Sequence, residues 1–201
     1  MAFTYFFRDK YTLDLIKKHV FPELKNQKYM SIWDAGCAMG PEPYSIAIIL
    51  RENMGNFLFR NLTIYATDID GSDLFADIIR KGIYHTEQLK SVPKDILDKY
   101  FSPDEKKSEF RINDEIRKCI KFQKHNLLSL NPIREGLSLI VCKNVLLHFK
   151  EEERINVIKM FHKALMNDGY FCTEQTQKLP ASIRHLFEPV AHSGQLFRKV
   201  G

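Results

Sequence analysis

Two features of the sequence carry groups suited to holding a small polar ligand. The first is Asp34-Ala35-Gly36-Cys37-Ala38-Met39-Gly40, a turn with two glycines that closes one apolar run and opens another. Glycine lets a backbone approach a ligand closely, and a helix starting just beyond would present free N–H groups to a carboxylate or phosphate. No Lys-Ser or Lys-Thr follows Gly40, which excludes a phosphate-binding P-loop, and the G-x-G-x-x-G dinucleotide pattern is absent. Taken alone, the glycines fit a plain tight turn equally well. The second feature is Asp68, at the end of the next apolar run, where a carboxylate can accept two hydrogen bonds from ribose hydroxyls. A capping carboxylate is the plainer alternative. Asp70 in the same turn competes for the ribose role; Asp68 is preferred because it falls where the strand ends.

The elements that must position these groups follow from periodicity. Met30 to Ala35 reads as a strand, about Glu42 to Asn53 as an amphipathic helix, Leu62 to Thr67 as a second strand, and about Ser72 to Arg80 as a second helix with Ser72 as N-cap and Gly82 as stop. A short helix near Pro93 to Tyr100 precedes a small antiparallel element built from Phe110 to Ile112 and Ile120 to Gln123. An apolar strand, Leu137 to Cys142, a helix, Glu151 to Leu165, and a strand, Tyr170 to Glu174, come next. Phe187 to Ala191 and Gln195 to Val200 then form a hairpin around Ser193-Gly194. Alternating β and α elements with apolar strands predict a mostly parallel sheet, helices on both faces and an antiparallel C-terminal hairpin. In such a sheet ligands bind beyond the carboxyl ends of the strands, where both features lie. A helix from Tyr11 to Leu24 follows an aromatic-rich leading segment, and that segment is expected to pack over this edge.

Composition narrows the class. The chain has 201 residues, 44% hydrophobic and 27% charged, which excludes a disordered, collagen-like or coiled-coil chain and predicts one α/β domain over 1–201. Thirty Lys+Arg against 25 Asp+Glu are interspersed, so no nucleic-acid groove is expected. Apolar runs such as Ile46 to Leu50 fall far short of a membrane span, and the charged start is unlike a signal peptide, so the expected location is cytoplasmic. Cys37, Cys119, Cys142 and Cys172 form no C-x-x-C pair; buried reduced thiols and no metal site are expected.

Gly36-Cys37-Ala38-Met39-Gly40-Pro41-Glu42-Pro43-Tyr44-Ser45-Ile46-Ala47 resembles the G-C-S-T-G-E-E-P-Y-S-I-A stretch of the CheR-type chemotaxis methyltransferases. The likeness continues through Thr4-Tyr5-Phe6-Phe7-Arg8, Ala66-Thr67-Asp68-Ile69-Asp70, Gly82-Ile83-Tyr84, Asn126-Leu127-Leu128 and Cys142-Lys143-Asn144-Val145-Leu146-Leu147-His148-Phe149, in order along the chain. The resemblance implies a class I S-adenosylmethionine-dependent methyltransferase fold, Rossmann-like, with a small β-subdomain inserted at about Tyr100 to Lys124. It also implies that Arg8 meets the cofactor carboxylate, Asp68 the ribose, Asn126 and Leu127 the adenine, and the Gly36, Cys37, Ala38 and Gly40 turn the methionine portion. Glu42, Asn144 and Val145 complete the implied cofactor site. Arg8 and His148 are the implied catalytic residues. The aromatic pair Phe6-Phe7 is expected to anchor the leading segment, chiefly through Phe7.

By the same resemblance the reaction is methyl esterification of glutamate side chains in an acidic protein such as the cytoplasmic region of a chemoreceptor. Such a glutamate, with an ordinary pKa of about 4.3, is ionised at neutral pH and needs no general base. The family usually carries a helical domain before the Phe6-Phe7-Arg8 motif, and by the same resemblance the protein is expected to lack it. Three residues depart from its pattern: Pro41 replaces a glutamate, Lys143 an arginine and His148 a tyrosine. A methyltransferase with another acceptor, and a non-catalytic module binding S-adenosylmethionine or S-adenosylhomocysteine, are the competing readings. The loop holding Lys106-Lys107 is short, and no receptor tether is expected to dock there.

Overall fold

Along Met30–Ala35 and Leu137–Cys142, apolar side chains project alternately to two cores: Ile32, Leu139 and Val141 enter one, Trp33, Ile140 and Cys142 the other. Strands buried on both faces belong in the middle of a covered, largely parallel sheet, and that is where they lie. The computed structural model describes residues 4–106, 108–176 and 178–201. Among these the strands are β1 (Met30–Ala35), β2 (Leu62–Asp68), β3 (Ile83–His85), β4 (Phe101–Pro103), β5 (Glu109–Ile112), β6 (Ile120–Lys124), β7 (Leu137–Cys142), β8 (Leu165–Thr173), β9 (Phe187–Pro189) and β10 (Leu196–Lys199). The large sheet has the order β6-β2-β1-β7-β8-β10-β9. Its first five strands run parallel, while β10 is antiparallel to both β8 and β9, as the expected C-terminal hairpin requires.

The helices are α1 (Lys10–Leu15), α2 (Phe21–Leu24), α3 (Pro41–Asn53), α4 (Asn56–Phe59), α5 (Phe75–Lys81), α6 (Lys94–Tyr100), α7 (Asp114–Arg117) and α8 (Glu151–Ala164). The expected helix over Tyr11 to Leu24 is α1 and α2 joined by a π-helical turn, Ile16–Val20. Pro41 occupies the first turn of α3, where its missing N–H costs nothing. The helix expected from Ser72 starts later, at Phe75, and Ser72 does not cap it. Asp70 does: its carboxylate accepts the N–H groups of Leu74 at 3.3 Å and Phe75 at 3.0 Å, and the Ser72 hydroxyl at 2.9 Å. No helix among the described residues is long and apolar enough to cross a membrane. All four cysteines are buried and free, and no group of metal-ligating side chains converges among the described residues.

The small β-subdomain differs from the expected stretch of about 100–124. It is a three-stranded antiparallel sheet, β3-β5-β4, while Ile120–Lys124 joins the large sheet as β6, parallel to β2. The half-buried alternation of an edge strand reads the same in either setting, and pairing with β2 decided it. In the subdomain loop Lys106 approaches Glu109 at 3.4 Å; Lys107 lies outside the described residues.

The leading segment is anchored by Phe6 rather than Phe7. Phe6 is fully buried, its ring edge-on to Tyr84 and Phe101 and stacked with Tyr44, and its N–H donates to the Gln88 carbonyl at 3.1 Å. Phe7 is half-buried with φ 55°, and its N–H donates to the Ser45 hydroxyl at 2.8 Å.

Candidate functional site

At the carboxyl edge of the parallel strands lies a cleft of about 520 Å³, inside the range of roughly 300–1,000 Å³ usual for small-molecule sites. Arg8, Gly36, Cys37, Ala38, Glu42, Asp68, Asn126, Leu127, Asn144, Val145 and His148 all line it. These residues come from the leading segment, the β1–α3 turn, the ends of β2, β6 and β7, and the 3-10 turn Leu146–His148. Gly40 is not in the lining. It precedes α3 with φ 99°, and a Cβ there would lie 2.7 Å from Ile79 and 2.8 Å from the Tyr84 hydroxyl, so its smallness serves packing behind the turn.

Each wall has a local cause. Gly36 and Cys37 both donate their N–H groups to the Thr67 carbonyl, at 2.7 and 3.0 Å, which binds the glycine turn to the end of β2. Gly36 has φ 104°, and a Cβ on it would stand 2.1 Å from Val145 Cγ2, so only glycine fits between the two walls. Asp68 Oδ2 accepts the Ala38 N–H at 2.9 Å and Oδ1 the Asp70 N–H at 3.2 Å. A carboxylate offers about four acceptor sites, so both oxygens keep capacity for a ligand diol. Asp70, the rival for that role, is 2% exposed and committed to α5. Burial alone would raise its pKa, but the donors Phe75, Ser72 and Leu74 outweigh that and hold its carboxyl below the usual value.

Lining the cleft and running behind it is a charged cluster that the sequence did not reveal. Lys143 reaches Glu42 at 2.9 Å and Asp9 at 3.7 Å. Asp34, fully buried at the end of β1, has no hydrogen-bonding partner for either oxygen among the described residues. Burial first, and then the like charge of Glu42, pushes its carboxyl well above the ordinary range. For Lys143, burial opposes the charge, and Glu42 followed by Asp9 more than restores it, so its pKa is raised. Burial, with the Asp34 charge behind it, pushes the Cys37 thiol well up, leaving an inert SH group on the cleft wall.

Thr4, Thr67, Ile69, His125, Leu128, Lys143 and Phe149 also line the cleft. All but Lys143, a noted departure from the family pattern, went unassigned, although each adjoins or lies within a quoted motif. His125 stands edge-on to Trp33, and burial lowers its pKa. Along the cleft, a guanidinium and a carboxylate are accompanied by the apolar side chains of Ile69, Leu127, Leu128 and Val145. This donor set, with glycine where a backbone must be approached closely, fits a ligand having a carboxylate, a ribose and an apolar-faced base.

Residues 2–194 match the family described as CheR methyltransferase, SAM binding domain. The chain belongs to the CheR family. Within that family it is 34% identical over 177 residues to a chemotaxis protein methyltransferase of Borreliella burgdorferi, covering 83% of this chain and 61% of that protein. A probable chemotaxis protein methyltransferase of Rhizobium etli is 28% identical over 194 residues, covering 94% of this chain and 72% of the relative. The chain thus spans only part of these CheR relatives. Among solved structures, a TehB-like SAM-dependent methyltransferase from Corynebacterium glutamicum aligns with a TM-score of 0.48 at 13% identity, covering 89% of this chain and 83% of that one. The mostly parallel sheet with its antiparallel hairpin is the class I methyltransferase fold, and S-adenosylmethionine is the cofactor of the CheR domain.

Proposed function

We propose that this protein holds S-adenosylmethionine in the cleft and methylates glutamate side chains of an acidic partner protein, of the kind the chemotaxis methyltransferases are named for. The observation that carries this reading is the meeting, in one cleft, of Arg8, the Gly36 turn, Asp68 and Asn126-Leu127 with His148 at the same wall. Arg8 would take the cofactor carboxylate, Asp68 the ribose diol, Asn126 and Leu127 the adenine, and the turn the methionine chain. When bound, the cofactor supplies an activated methyl group on a sulfonium.

The chain's own task is then orientation and exclusion of water. A glutamate acceptor is already an anion at neutral pH, so no residue has to remove a proton from it. The cleft accords with this: Cys37 is held as a neutral thiol and cannot compete as a nucleophile. His148 and Phe149 on the cleft wall would orient the incoming carboxylate and keep it dry, and holding it in line accounts for most of the acceleration.

The test is transfer of label from methyl-labelled S-adenosylmethionine to an acidic receptor fragment or cell protein. An ester releases the label as volatile methanol in mild alkali, and the rate should stay flat from about pH 6 upward, because glutamate with a pKa of about 4.3 is ionised throughout. Alkali-stable label would assign a different acceptor. Tight cofactor binding with no label transferred would make the protein a binding module.

A further inference from the structure

Glu174 lies immediately beyond β8, outside the cleft lining, and is 6% exposed. Its Oε2 accepts the Asn144 N–H at 2.9 Å and the Thr173 hydroxyl at 2.8 Å. Its Oε1 is buried and has no hydrogen-bond partner among the described residues. A half-satisfied buried carboxylate costs stability, and packing alone would be better served by a neutral side chain. What the carboxylate supplies is a charge-assisted bond to one backbone amide, the strong kind of hydrogen bond.

That amide is at a sensitive point. Asn144 has φ 58°, a left-handed conformation that asparagine tolerates but that needs support from its surroundings. Val145, the next residue, abuts Gly36 across the cleft, and its carbonyl accepts the His148 N–H at 3.0 Å to open the 3-10 turn. On the far side of His148, Glu153 accepts the Lys150 N–H at 2.9 Å and fixes the start of α8. The segment from Asn144 to Lys150 is therefore pinned at its two ends by glutamates, and Glu174 holds the end nearer the cofactor wall.

We propose that Glu174 is a positioning residue: acting through the Asn144 N–H, it holds Asn144, Val145 and His148 in their places on the cleft. This rests on the reading of the cleft as the S-adenosylmethionine site.

The experiment is calorimetric binding of S-adenosylhomocysteine to the wild-type chain and to Glu174→Gln, Glu174→Asp and Glu174→Ala, each first melted to establish that it is folded. Glu174→Gln keeps an acceptor at the same reach but not the charge, so it should weaken binding by about threefold to fivefold, less than the variants that lose the acceptor at that reach. Glu174→Asp keeps the charge but is one methylene short, and with Glu174→Ala should bind at least about tenfold more weakly, the worth of one charge-assisted bond. In turnover, Glu174→Asp should lower kcat as well as raise KM, because His148 moves with the segment. If Glu174→Ala does not fold, the Gln and Asp variants decide. A folded Asp variant with wild-type affinity, or a Gln variant as weak as Asp, overturns the proposal. Failure of the wild-type chain to bind overturns the cofactor reading instead.

Discussion

Lys143 and Glu42 form a buried ion pair, Nζ to Oε2 at 2.9 Å, with the lysine side chain only 2% exposed. Asp9 and the fully buried Asp34 stand around the same ammonium, so one cation serves several carboxyl groups. Removing one partner of a buried pair leaves uncompensated charge and costs about 3–5 kcal/mol. Lys143→Met should therefore lower stability by that order in urea unfolding, whereas Lys143→Arg, which keeps the charge, should lose much less. An equal loss for both would mean that the site measures shape and not charge.

Asp68 joins the turn to the proposed ribose contact. Asp68→Ala should weaken S-adenosylhomocysteine binding by about 1.5–3 kcal/mol, tenfold or more, because a charge-assisted acceptor is lost and the Ala38 N–H is released. Asp68→Asn, still an acceptor, should fall between. Calorimetry checks both, and unchanged affinity in Asp68→Ala would remove Asp68 from the site.

Arg8 lies on the cleft, its guanidinium carbon 6.0 Å from the centre of the Tyr5 ring. Arg8→Ala should weaken a ligand bearing the methionine carboxylate far more than adenosine, since a planar guanidinium binds carboxylate in a way adenosine cannot use. Equal losses for the two ligands would reduce Arg8 to a brace for the leading segment.

Asp70 gives a pH signature. Its folded-state pKa lies below the ordinary carboxyl value of 3.8, so its contribution is complete above that pH and disappears as pH falls through the lower, folded value. Asp70→Asn should be destabilised at neutral pH by about 0.5–2 kcal/mol, the usual worth of a helix cap, and should lose less stability than wild type on acidification below about pH 4. Parallel acid unfolding curves for the two proteins would contradict the assignment.

The central strands were legible because burial on both faces leaves an unbroken apolar run: β1 and β7 lie where Met30 to Ala35 and Leu137 to Cys142 placed them. The glycine turn was legible because its glycines do conformational work no other residue can do. Strand β6 was misplaced because an edge strand alternates in the same way whichever partner it takes. The start of α5 was misplaced because Asp70 reaches across two turn residues to cap it, making Ser72 a partner of the cap instead of the cap itself. The Lys143 cluster was invisible for a different reason: its partners Asp9, Asp34 and Glu42 are about a hundred or more positions away along the chain, and only the packed sheet edge assembles them.

The aromatic joint around Phe6 gives the small sheet a share in the cleft to which it contributes no lining residue. Phe6 is held between Tyr84 of β3, Phe101 of β4 and Tyr44 of α3. Arg8 follows two residues later, and two residues of extended chain span at most about 7 Å. The Arg8 cation on the cleft is thus on a short leash whose fixed end is the seam between the small sheet and α3. Lengthening that leash by a single inserted residue would leave both sheets intact and yet take Arg8 off its mark, so the small sheet is part of the frame of the cleft and not an appendage to it.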